Sequence, residues 1–231
     1  MFVSLKKGAS HVEFIISLTM FLVFVSAALF FFTPKISTTS IDEIAKDNFV
    51  NIENFLKTEI QKYGVKINNQ DLEIMTIELD NLIGNERIEN LNGQKLESGK
   101  QGDIVFFRHN EEELIYILLS EDFLGGSLSG SPSQNSEKYE IASYIVEKPL
   151  SIKKASNMKA QYEEDYNSLK NNIGIPSRVD FGFSVLIQGQ EIKAELGNSE
   201  GKEIRSMTKR LEILKEDGSR EFGTLTVKVW E

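Results

Sequence analysis

The chain contains no cysteine, and its 231 residues include only four prolines, two histidines and one tryptophan. Without cysteine, neither a disulfide framework nor a thiolate metal site can form. There is also no Asn-x-Ser/Thr sequon, so N-glycosylation at that signal is not expected. Cations are scarce: 26 lysines and arginines face 35 aspartates and glutamates, leaving a net charge of −9. An acidic surface repels a phosphate backbone, so no nucleic-acid partner is expected. The glycines between Gly125 and Ser136 are not followed by Gly-Lys-Ser/Thr, which excludes a phosphate loop. The acidic run Glu163-Glu164-Asp165 lacks the spacing of a calcium loop. His109 sits in a turn rich in glutamate, where a solvated side chain is expected rather than a catalytic one. No catalytic residues, metal ligands or cofactor are assigned, and the chain is not expected to be an enzyme.

What the sequence does contain is one long apolar run, Phe14 to Phe32, interrupted only by Ser17, Thr19 and Ser26. As a helix it would rise about 28 Å, near the hydrocarbon thickness of a bilayer. A cleaved secretory signal has a core of roughly 7–15 residues and a small-residue cut site. Cutting at Ser26-Ala27-Ala28 would leave Leu29-Phe30-Phe31-Phe32 as an apolar N-terminus, so retention of the helix is the better reading. Residues 14–32 are therefore expected to contact a membrane as a single-pass anchor. Lys6 and Lys7 place the N-terminus in the cytoplasm and the C-terminal domain outside the cell membrane.

Glu13, at the leading edge of that run, needs a reason. It can snorkel to water at the headgroup level, or it can meet a cation at the same depth. Cleavage between Gly8 and Ala9 would create such a cation, an α-amino group four residues before Glu13.

The order Lys6-Lys7-Gly8-Ala9, with Glu13 beyond it, resembles the class III signal peptide of type IV prepilins and archaeal pilin-like proteins. The resemblance implies processing by a prepilin-type peptidase after Gly8, with Ala9 as the mature N-terminus. It implies that Glu13 sets the register as apolar helices bundle with those of other pilin-like subunits. A common archaeal form has glutamine and serine at the first and third mature positions, where this chain has Ala9 and His11. Later stretches, "IPSRVDFGF" and "LTVKVW", also resemble uncharacterised archaeal pilin-like proteins.

Beyond the run, Pro34 is expected to kink the chain and Ser37-Thr38-Thr39 to act as a joint. Ser40 with Glu43 forms a capping box. Ile41, Ala45, Phe49, Ile52, Leu56, Ile60 and Tyr63 then predict one amphipathic helix ending at Gly64. Leu72–Leu79, Arg87–Leu91, Asp103–Arg108, Glu113–Ser120 and Tyr139–Pro149 read as strands, with a hairpin across His109–Glu112. Met158 to Ile173 reads as a second helix. Phe181, Phe183, Val185 and Ile187 alternate as a half-buried strand. Asp217-Gly218 marks a terminal hairpin.

The expected organisation is a leader over 1–8, a transmembrane helix over 9–33, a kink and amphipathic helix over 34–64, and an extracytoplasmic domain over 65–231. The expected fold class is α+β: the N-terminal transmembrane helix continues into an amphipathic helix packed on a mainly antiparallel β-sheet domain. The expected function is that of a structural subunit of a type IV pilus-like surface filament. The alternative is a single-pass anchored binding or sensor domain that does not polymerise.

Overall fold

The computed structural model describes residues 6–32, 41–68, 73–109, 112–129, 138–195 and 202–231. The Pro34 kink, the 37–39 joint, the Ser40 cap and most of the Gly/Ser/Pro loop, 130–136, lie outside them. The chain divides into two units, Met1–Ser40 and Ile41–Glu231.

The first unit is described by a single helix, α1, Lys6–Phe32. Among the described residues no helix is both long and apolar enough to cross a membrane. This corrects the transmembrane helix placed over 9–33 and, with it, the single-pass membrane localisation. The helix begins at Lys6-Lys7, and its described apolar side chains run from Val12 to Ala27.

The second unit opens with α2, Ile41–Leu56, which carries Asp42 and Glu43 in its first turn. There carboxylates complement the helix dipole. Ile44, Ala45, Phe49, Ile52 and Leu56 are buried along one face. The helix ends eight residues before Gly64, and Ile60 and Tyr63 belong instead to strand β1, Ile60–Ile67. Gly64 lies within that strand. The Thr58 N–H donates to the Pro149 carbonyl and Lys57 bridges to Leu150, so the backbone leaves the helix for sheet pairing.

The remaining elements are β2 (Ile74–Glu78), β3 (Asn85–Asn90), β4 (Ser98–Gln101), β5 (Ile104–Arg108), β6 (Leu114–Ser120), β7 (Tyr139–Glu147), β8 (Leu150–Ser151), α3 (Ile152–Glu164), α4 (Tyr166–Ile173), β9 (Asp180–Ile187), β10 (Gln190–Ala194), β11 (Ile204–Leu214) and β12 (Arg220–Trp230). The chain is mostly β, with 44% strand and 29% helix, which corrects the α+β expectation. Among the described residues there are three sheets rather than one, ordered β3-β6-β1-β7, β10-β9-β12-β11-β8 and β2-β5-β4. Strands β5 and β6 fall in different sheets, so the stretch between them is a crossover and not the expected hairpin. The pairing is antiparallel except for β8 on β11.

Two cores result. In the first, α2, α3 and α4 cover the five-stranded sheet. Phe181, Phe183, Val185 and Ile187 from β9 meet Leu225, Val227 and Val229 from β12 beneath them. The expected second helix is broken at Asp165, whose side chain accepts from the Ser168 N–H at 3.0 Å and so starts α4. In the second core, β1, β3 and β6 pack against β2 and β5 through Val65, Ile88, Ile117, Met75 and Phe107. Ile60, Leu118, Phe123 and Leu214 join the two cores. Arg87 donates to the Asp217 carbonyl, and Arg220 pairs with Glu147 across the same junction. Every buried hydrophobic side chain among the described residues lies between Ile44 and Trp230, so the second unit carries its own core.

Gly84 has φ of 53°, and a Cβ there would run into the backbone of Ser120 and Glu121. Gly84→Ala combines a left-handed backbone with a clash that no side chain can relieve. It is expected to lower the unfolding free energy of residues 41–231 by about 2–4 kcal/mol, read by urea denaturation. An alanine variant as stable as the parent would show that this approach is not as tight as described.

Candidate assembly segment

Lys6, Lys7, Gly8 and Ala9 are helical in backbone and form the first turn of α1. The cleavage point that the resemblance implies therefore lies inside a helix. Glu13 follows one turn later and is exposed. It is the only carboxylate of α1. Residues three and four apart share a helix face, so Glu13 lines up with Ile16 and Ser17.

The apolar side chains of α1 do not form a stripe. Phe14, Ile15 and Ile16 are consecutive, as are Met20 to Phe24, so they point in every direction around the axis. Exposure is high throughout, 66% for Phe14, 71% for Met20 and 73% for Phe24. Thr19 spends its hydroxyl on the Ile15 carbonyl at 2.8 Å, which hides a polar group inside the helix's own backbone. A helix apolar on all sides is one that must be buried on all sides.

The second unit offers less chemistry. His109 is not a solvated turn residue. It is 7% exposed, its Nε2 lies 2.9 Å from the Glu112 carbonyl, and its ring meets Phe107 edge-on. The neighbouring Phe106–Phe107 burial was the signal that pointed this way. Among the described residues no group of three or more His, Asp or Glu side chains could hold a metal. An open cleft of about 500 Å³ is lined by Lys95, Glu97, Ser98, Leu124 and Gly126. Glu97 already pairs with Arg108 at 2.9 Å. A smaller hollow of about 110 Å³ lies over Ser184, Thr226 and Lys228. There Glu195 takes Lys193 at 2.8 Å and Lys228 at 2.9 Å, and these ammoniums hold its carboxyl below the usual range.

A family-model scan, a search of curated proteins and a search of solved structures each find no match for this chain.

Sequence reasoning passed over the charge cluster at Glu53. Burial pushes this carboxyl up. Lys57 at 2.7 Å and Lys209 at 2.9 Å more than offset that and hold it below its ordinary value. The pair with Lys209 ties α2 to β11. Because the folded value is depressed, its contribution is present at neutral pH and is lost as pH falls from 4.5 through the lower folded value. Glu53→Gln should destabilise residues 41–231 at pH 7 by about 1.5–3 kcal/mol, and the gap to the parent should close on acidification. A gap that stays constant down to pH 3 would contradict this assignment.

Proposed function

We propose that the chain is a structural subunit that assembles through α1 into a type IV pilus-like filament, after a prepilin-type peptidase removes residues 1–8. The observation that carries the reading is the helix itself. Ten apolar side chains from Val12 to Phe24 are exposed around its whole circumference. Burying each is worth about 1.5–3 kcal/mol, so their exposure is a strong drive to associate.

The surface best shaped to cover a helix apolar on every side is a set of other helices of the same kind. Glu13 then limits how those helices slide. A carboxylate buried in a bundle is costly unless it meets a cation, and the α-amino group of a processed Ala9 is a cation of this chain's own making. Pairing Glu13 with that amine in a neighbouring copy favours one axial offset and penalises the rest. Lys6 and Lys7 would leave with the leader, so the mature bundle would keep one positive and one negative group per helix end.

Mass spectrometry of the mature protein should find Ala9 at the N-terminus, and an intact Met1 would contradict the processing step. Glu13→Ala should be cleaved normally yet enter filaments at least tenfold less than the parent, scored by electron microscopy. Normal incorporation of that variant would exclude Glu13 as the registering group.

A further inference from the structure

The second unit leaves one apolar strand uncovered. Strand β7 lies at the edge of its sheet, and no described strand pairs with its outer side. Edge strands are ordinarily short, charged or otherwise blunted. This one is nine residues long, and Ile141, Tyr144, Ile145 and Val146 are 41–52% exposed.

Its register on β1 explains the pattern. Gly64 pairs with Ser143 but Val65 pairs with Ile141, so Ala142 is an extra residue in a β-bulge. Strict alternation would place Ile141 and Tyr144 on opposite faces. The bulge brings them to the same one. Tyr139, Ile141, Tyr144 and Val146 thus lie opposite Ile67, Val65, Tyr63 and Gln61, on the face that carries the second core. Tyr63 and Tyr144 touch, with ring centroids 4.8 Å apart. The result is a stripe of four apolar or aromatic side chains that overhangs the core.

We propose that β7 pairs antiparallel with β7 of a second copy, about a two-fold axis at Ser143. The bulge selects this register, since Ile141 and Ala142 together occupy one position. Centring on Ser143 sets Tyr139 against Val146 and Ile141 against Tyr144, each pair occurring twice and each on one face. It also sets Lys138 against Glu147, two opposite charges. Glu147 already pairs with Arg220 and gains a second cation. Centring on Tyr144 instead opposes Glu140 to Glu147, a like-charge pair. Centring on Ile145 opposes Ile141 to Lys148 and sets Tyr139 beyond the end of β7 at Glu147. Ser143 at the axis is small and exposed, so the backbones can approach.

One strand pair falls below the roughly 1,200 Å² of a stable interface, so the contact is weak and shows at high protein concentration. A two-fold contact closes on itself. It therefore adds a pairwise link to any assembly driven by α1 and does not depend on that assembly.

The chain lacks cysteine, which permits a clean test on residues 41–231. Directly opposed antiparallel residues have Cα atoms about 4.5–5.5 Å apart, within disulfide range. Ser143→Cys should therefore oxidise to a covalent dimer at least tenfold faster than a control, Leu91→Cys, on an exposed turn. In the cysteine-free protein, sedimentation should show dimer growing between 10 µM and 1 mM, and Tyr144→Lys should weaken it tenfold or more. The pairing is overturned if Ser143→Cys crosslinks no faster than the control. It is also overturned if the protein stays monomeric at 1 mM, or if it forms open-ended oligomers through a different strand.

Discussion

An apolar helix with no polar face is the constraint on which the rest of this molecule's account depends. The exposed apolar side chains of α1, from Val12 to Phe24, leave no direction in which they meet water favourably. Ten of them at about 1.5–3 kcal/mol each represent a quantity as large as the whole stability of an ordinary domain. Such a helix is not a stable end state by itself. The polar turn before it, Lys6 to Glu13, sets where the apolar surface begins, and the single carboxylate at its edge makes axial position matter.

The second unit is built to stand without that helix. Its two cores are closed by their own sheets and by α2, α3 and α4, and the junction through Ile60, Leu118, Phe123 and Leu214 is internal to it. Two of its buried charges are compensated locally, Glu53 by Lys57 and Lys209, and Lys170 by the Ser177 carbonyl at 2.8 Å. Against that background the uncovered face of β7 stands out. The same bulge that fits Gly64 against Ser143 leaves Ile141, Tyr144 and Val146 largely exposed beside Tyr139, which packs on the second core. The described residues thus present apolar surfaces of different kinds, a helix that demands many neighbours and a strand edge suited to one.

Much of the second unit was legible in the sequence because its signals were local. The alternation from Phe181 to Ile187 and the Asp217-Gly218 turn each need only a few neighbouring residues. The errors came where two periods agreed or where pairing was remote. Ile60 and Tyr63 continue the helical spacing of α2, yet the Ile60–Ile67 segment pairs as a strand with β6 and β7. Strands β5 and β6 look like a hairpin because the stretch between them is short, and only the sheet order separates them. Ser98–Gln101 carries no apolar alternation, and its pairing with β5 left no trace in composition. Glu53 looked like the polar side of a helix, since Lys209 lies far along the chain. The processing residues and Glu13 were legible as a pattern, but the second unit supplied nothing that bears on them.

The most direct test of helix-driven assembly is the distance between copies of α1. The absence of cysteine allows a spin label at Ser17→Cys in the mature full-length protein. Packed helices have axes about 8–10 Å apart, so bundled copies should give dipolar distances under roughly 20 Å that disappear on dilution with unlabelled protein. Assembled protein in which the labels show no distance shorter than that of a random suspension would contradict the account.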